Sequence, residues 1–381
     1  MKRVLYILAT ILFIYSCITP FEPEGIALGG NMIVIEGDII ANDTTRVAIS
    51  KSLALDDNNV INYVSGAAVW VESETGKRFN GSEKRQGGKI VYLVNTKGID
   101  VSERYKLSVS IGNKKYESEF VDILISPEID SIGYNIIPDS TEVVFYVNTF
   151  DPENSTRYYK WRYTEDWEYR SNHLSLHDYN PHTKSIFEIE MAQNRYYCWS
   201  SAASSAILIA STDHLAQDRV HQKKLLSVGN SSLRINYLYS MELTQMAISK
   251  RAFIYWDNVR KNSDDIGGLF APQPSEMAGN IICVSNPGEK VIGYVSGAYV
   301  SKKRVYFYGR EIGIYKDNKM CESQYVGIGN MLPIDSLYHA GYDVVSYFEE
   351  SNESYWVMRQ CVDCRIFGTK NKPSFWPTDH I

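Results

Sequence analysis

The sequence predicts a mainly β chain in which a β-sandwich is followed by a second β-rich domain with one prominent helix. Three observations predict it. Short runs of β-branched and aromatic residues recur from Met32 onward, turn residues separate them, and one segment near 244–263 repeats at helical rather than strand period.

The chain opens on a targeting segment. Lys2 and Arg3 precede an apolar run from Val4 to Tyr15, and Ser16 stands immediately before Cys17. A run of roughly 12 residues falls short of the ~20 needed to span a bilayer as a helix, and fits the apolar centre of a secretory leader. A small residue followed by cysteine looks like a bacterial lipobox, so residues 1–16 are expected to be removed and Cys17 acylated. The alternative is an ordinary leader cleaved elsewhere, with Cys17 incidental. Two or more acyl chains anchor a protein stably where one does not. Residues 17–30, with Pro20, Pro23 and Gly29-Gly30, read as a lipid-anchored stalk.

Residues 31–125 form the predicted sandwich. Its strand candidates are Met32–Glu36, Thr45–Ile49, Ala67–Glu72, Ile90–Val94 and Tyr105–Ile111, punctuated by Gly37-Asp38, Gly76, Gly87-Gly88 and Gly112-Asn113. Ser126-Pro127 marks a boundary, and residues 126–381 form the β-rich C-terminal domain. Glu142–Val147 and Arg157–Tyr163 are strand candidates by content, followed by Phe187–Ile189 and Tyr196–Trp199. Ala202–Thr212 fits a strand or a short helix. In the helix near 244–263, Leu243, Ala247, Phe253, Ile254, Trp256 and Val259 alternate with Lys250, Arg251, Arg260 and Lys261. Thr244 is placed to cap it and Gly267-Gly268 to follow it. Lys290–Ser296 and Arg304–Tyr308 then return to strand character.

Charge excludes one class of partner. The chain has 39 Lys and Arg against 45 Asp and Glu, and loss of Lys2 and Arg3 takes the net charge from −6 to −8. A nucleic-acid surface needs a basic stripe, and no basic run occurs. No cofactor motif is present either. There is no Gly-x-Ser-x-Gly elbow and no Gly-x-x-x-x-Gly-Lys-Ser/Thr loop, and Gly327-Ile-Gly329 lacks the third glycine of a dinucleotide site.

Five cysteines remain beyond Cys17, an odd number that leaves one thiol free. Cys283, in an apolar run, is assigned that place; Cys198, Cys321, Cys361 and Cys364 are disulfide candidates of open connectivity. Cys361-Val-Asp-Cys364 also fits half a zinc site or a redox pair, but a second ligand pair and a following helix are both missing. His173 and His177 have i, i+4 spacing beside Asp178 and His182, yet Asn180-Pro181 breaks any helix, and a polar loop is the simpler reading. Glu165, Asp166 and Glu168 beside Trp161 and Trp167 admit glycosidase chemistry. The aromatic members Tyr159, Trp161, Tyr163 and Trp167, with Tyr158 and Tyr169, form either a ligand- or partner-binding face or alternate core positions.

Several separated motifs carry a resemblance. They are Ile33-Val-Ile-Glu-Gly-Asp-Ile39, Asp151-Pro-Glu153 with Arg157–Tyr163, Tyr255-Trp256, Gly267–Pro274, Gly279-Asn280, Ile292-Gly-Tyr294, and finally Cys361-Val-Asp-Cys-Arg365, Gly368-Thr369 and Lys372–Trp376. In this order they resemble the Bacteroidota lipoprotein family called domain of unknown function 4249, over nearly all of the mature chain; Cys283 is a departure. The resemblance implies no assigned activity. It implies an outer-membrane lipoprotein beside a TonB-dependent transporter of the SusC-like kind, and an immunoglobulin-like or prealbumin-like first sandwich. The expectation is a non-enzymatic accessory or ligand-binding lipoprotein at the cell surface that serves nutrient uptake. A cell-envelope hydrolase acting on glycan or peptide and a structural subunit of an outer-membrane assembly are the other two readings.

Overall fold

The computed structural model describes residues 32–53, 61–137, 142–229, 232–264, 279–313, 321–329 and 332–378. Cys17, the stalk and the whole Gly267–Pro274 motif, with its Gly267-Gly268, lie outside them. The chain is mainly β, in two sandwich-like bodies and a smaller C-terminal layer.

The first body is built by alternation. In Thr44–Lys51, Thr45, Val47 and Ile49 are buried while Arg46 faces out. Arg78–Gln86 pairs with Ala68–Ser73 on one side and Lys89–Asn95 on the other, joining the two halves of the sandwich. The hairpin at Gly87-Gly88 needs two consecutive positive φ values, 56° and 78°, which glycine adopts without strain. Ile35, Ile49, Val71, Tyr92, Tyr105 and Tyr116 fill the core.

The outer strands of this sheet come from much later in the chain. Ile281–Cys283 pairs antiparallel with Lys114–Ser118, and Val291–Ile292 pairs parallel with Ile33–Glu36. Gly297–Tyr299 then lies between Ile123–Ile125 and Ile39–Ile40 in a parallel three-stranded sheet. Residues 279–300, assigned by sequence to the C-terminal domain, thus pack with the N-terminal one. Asn280 locks the return, its side chain bonding the Val295 carbonyl and amide at 2.8 Å each. Strands of two or three residues have no local period, so this pairing left no mark that sequence reading detects.

The second body stacks two sheets. One orders Ile129–Ile136, Glu142–Asp151 and Asp218–Gly229; the other orders Tyr197–Ala203, Tyr158–Arg170, Leu238–Ala247 and Ser301–Tyr308, with Leu208–Ser211 also on Tyr158–Arg170. Phe145, Tyr159, Trp161, Tyr239 and Leu243 pack between them. The helix is Lys250–Asp264, six residues later in starting than expected. Thr244 is not its cap but a strand residue, registered with Arg162 and Lys302. Ser249 caps it, accepting from the Ala252 amide at 3.2 Å. The error has a physical origin: Leu238–Ala247 is a central strand buried on both faces, so it lacks the period-two signal of a half-exposed strand. The helix lies across both bodies, with Ala252 and Tyr255 packed on Ile40, Ile209, Met246, Tyr294 and Val300.

The C-terminal layer carries the sheet Gln324–Val326, Glu353–Met358 and Tyr342–Phe348, the hairpin His177–Asn180 with Ser185–Glu188, and the short helix Ile334–His339. Two disulfides hold it, Cys198–Cys364 and Cys321–Cys361, with Cα atoms 5.5 and 5.6 Å apart. Cys283 is a free, buried thiol.

Candidate functional site

Strand Tyr158–Arg170 has two faces, and the aromatic one is the core. Tyr159 and Trp161 are 0% and 1% exposed, Tyr163 is buried, and Trp167 packs partly buried on the same cluster. The Tyr159 hydroxyl donates to Asp218 at 2.7 Å and the Trp161 indole to Gln245 at 2.8 Å. Of the two readings of Tyr159, Trp161, Tyr163 and Trp167, the core reading holds for Tyr159, Trp161 and Tyr163, which are buried with protein around them, whereas Trp167 is only partly covered.

The three carboxylates of the glycosidase reading are held in separate ion pairs. Glu165 accepts from Arg234 at 3.0 and 3.1 Å and from the Tyr239 hydroxyl at 2.7 Å. Burial, reinforced by the Glu165 charge, pushes the Tyr239 phenol far above its ordinary range. Asp166 takes Ser201 at 2.5 Å and Arg304 at 3.0 Å, and Arg304 also reaches Glu242 at 3.1 Å. Glu168, fully buried, takes Arg170 at 2.5 Å and the Trp376 indole at 3.3 Å. Matched in this way, they supply the electrostatics of a structural network.

That network is roofed by the chain's end. Phe375 lies with its ring 3.6 Å from the Arg304 guanidinium, and its carbonyl accepts the Tyr306 hydroxyl at 2.7 Å. Thr369 and Trp199 exchange backbone bonds of 2.8 and 2.9 Å. The proline-aromatic tail is thus a strap across the outer face of the sheet, a role its sequence did not announce.

The histidines do not converge. His173 donates to the Cys321 carbonyl at 2.9 Å, His177 is in a hairpin strand, and His182 sits at its turn. Among the described residues no group of three or more His, Cys, Asp and Glu is placed to hold a metal ion. Arg195, 6% exposed, instead faces Asp178, Asp343 and Asp363 at 3.4, 3.6 and 3.9 Å. Burial raises the Asp343 carboxyl despite Arg359 and Arg195. Burial also pushes Asp363 up, but the Arg365 hydrogen bonds outweigh it and hold that carboxyl below its usual range.

The junction between the two sandwiches presents a cleft of about 210 Å³. Its floor includes Val295, Ser296 and Gly297; its rim includes Glu119, Asp122, Ser249 and Arg251. Gly297 is required there, because a Cβ would lie 2.5 Å from the Asp122 carbonyl. Behind the floor, Lys160 reaches Asp38 at 3.0 Å and lies 3.9 Å from the centre of the Trp256 ring, while Asp38 also accepts the Ser296 amide at 3.2 Å. Burial pulls the Lys160 ammonium below its ordinary range, and Asp38 offsets this only in part. The Trp256 indole nitrogen and the Ser296 hydroxyl are buried without a hydrogen-bond partner. Sequence reading passed over this place because its residues come from five distant segments and none forms a motif.

Comparison with known proteins bears on the family alone. No curated protein matches. One similar solved structure is a DUF4785 family protein from Legionella pneumophila subsp. pneumophila str. Philadelphia 1. It is 11% identical with a TM-score of 0.18, over 56% of this chain and 51% of that one, too slight a likeness to support an argument about fold. The chain spans about half the length of that protein. A family model described as Domain of unknown function (DUF4249) matches residues 18–304. The Cys361–Trp376 motifs, taken above as part of the resemblance, lie beyond the matched region. With a match that begins one residue after Cys17, runs through the first sandwich and ends in the last strand of the second, the chain belongs to the DUF4249 family.

Proposed function

We propose that this protein is an exported, lipid-anchored accessory of the outer membrane, a non-enzymatic partner of a TonB-dependent transporter of the SusC-like kind. The observation that carries the reading is the pair of disulfides. Bridges persist in oxidising compartments and are rare where thiols are kept reduced; here both lie within 166 residues of chain, Cys198–Cys364 joining the second sandwich to the C-terminal layer and Cys321–Cys361 lying within that layer. The leader ending at Cys17 supplies the route and the anchor. Family membership supports the transporter partnership only as context.

Replacing Cys17 by Ser and fractionating cells tests the anchor: the wild type sediments with membranes and incorporates labelled fatty acid, and the variant does neither. Gentle extraction of tagged protein tests the partner. Co-recovery of a β-barrel transporter is the expected result; recovery of the lipoprotein alone, at yields that keep known membrane complexes intact, contradicts it.

A further inference from the structure

We propose that Lys160 and Asp38 are a modification site: their side chains condense into an amide that ties the two sandwiches covalently. The residues are 122 positions apart. Asp38 stands between Ile33–Glu36 and Ile39–Ile40 in the first body, and Lys160 lies within a strand of the second, registered with Ile209 and Met246. With Trp256 they come from three of the separated sequence motifs, and the fold gathers them at one point. Lys160 Nζ is 3.0 Å from Asp38 Oδ2, and the two side chains are only 10% and 3% exposed. The centre of the Trp256 ring is 3.9 Å from Nζ, and that ring packs on the apolar cluster of Ile40, Ile209, Met246 and Tyr294.

Three conditions for amide formation meet here. Attack needs an uncharged amine, and burial pulls the Lys160 ammonium below its ordinary range. It needs reactants already in contact, which turns a bimolecular encounter into an intramolecular step. Strands on both sides fix the Lys160 backbone, and the Ile39 amide, donating to the Ser296 carbonyl at 2.8 Å, fixes the chain beside Asp38. It also needs a donor at the developing oxyanion, and the Ser296 amide donates to Asp38 Oδ1 at 3.2 Å. A proton first passes from Nζ to Oδ2. The amine lone pair then attacks Cγ, forming the N–C bond and placing the negative charge on Oδ1. A second proton moves from the nitrogen to Oδ2, that oxygen leaves as water, and the carbonyl reforms at Oδ1. Nothing is oxidised or reduced. In bulk water hydration favours the separate ions, whereas here two charges that are costly to bury give way to a neutral amide. Its oxygen keeps the Ser296 amide as donor, and its nitrogen keeps the Trp256 ring as neighbour. This inference is independent of lipid anchoring and of the transporter partner.

Peptide mapping of the full chain, purified folded and then reduced, alkylated and cut after glutamate, tests it. Cleavage after Glu36, Glu72, Glu153 and Glu165 releases residues 37–72 and 154–165, neither of which contains a cysteine. The expected main form is the two segments joined, lighter than their sum by one water, with fragmentation placing the link at Asp38 and Lys160. Asp38→Ala and Lys160→Arg abolish the joined form, the second while keeping the charge pair, and thermal melts show that each variant is folded. The proposal is overturned if folded wild-type protein yields the two segments separately as the main form, if the water is lost within residues 37–72 alone, or if the joined form survives in folded Asp38→Ala.

Discussion

The N-terminal sandwich and the C-terminal layer are held together by different physics. The first has nineteen buried apolar residues in one cluster and no disulfide; the second has four in its main cluster and depends on two bridges and the Arg195 ion cluster. A small core rarely supplies enough burial to hold itself, so cross-links take over where apolar area runs short. The difference teaches where each body is vulnerable. Reducing agent is expected to act on the C-terminal layer and cavity formation on the sandwich, while the junction answers to charge.

The largest effect is expected from removing both bridges. Cys198→Ser with Cys361→Ser, or reduction of the wild type, costs about 2–5 kcal/mol per bridge. Hydrogen exchange should rise in residues 321–378 while the strands of the first sandwich keep their protection. Equal loss in both regions would break the comparison. Next comes the junction. Lys160→Met leaves Asp38 buried and unpaired, at a cost of about 3–5 kcal/mol; Lys160→Met with Asp38→Asn should recover part of it in urea titration. Ile49→Ala, in the first core, is expected to lose about 2–5 kcal/mol. Its exchange signature is the reverse of the bridge variants: opening in the sandwich and an unchanged C-terminal layer.

The smallest effect is set by pH. Burial pushes the Asp151 carboxyl up, but hydrogen bonds from the Thr156 amide, the Ser155 hydroxyl and amide and the Glu153 amide outweigh it, so the folded group titrates below its ordinary range. Its contribution is complete above the unfolded value of about 3.9 and is lost as pH falls through the folded one. Asp151→Asn should therefore cost about 1–3 kcal/mol near neutrality. Acid melting curves of variant and wild type should converge in strong acid. Divergence there would show that Asp151 acts otherwise.

The two regions also differ in how legible they were. The early strands of the sandwich read clearly, because Thr44–Lys51 alternates buried Thr45, Val47 and Ile49 with less buried Thr44, Arg46 and Ala48, Tyr105–Ile111 is rich in β-branched and aromatic residues, and their turns are marked by Gly87-Gly88 and Gly112-Asn113. Legibility failed where pairing is long-range or burial two-sided. Ile281–Cys283 and Val291–Ile292 are too short to show a period, and Leu238–Ala247 is buried on both faces and resembles a helix start. In Tyr158–Arg170 the alternation was visible but not which face turned inward. The aromatic residues took the core, and Arg162, Asp166, Glu168 and Arg170 took the opposite side. The cleft was invisible for the same reason as the late strands, since Glu119, Ser249, Arg251 and Ser296 share no segment.

The account turns on the compartment in which these thiols live. Peptide mapping by mass spectrometry, on protein taken from its own membranes and alkylated before any reduction, tests this directly. The expected products are Cys198 linked to Cys364, Cys321 linked to Cys361, an alkylated Cys283 after unfolding, and an acylated N-terminal peptide beginning at Cys17. Alkylation of all five of the later thiols, with an unmodified leader still attached, would contradict it.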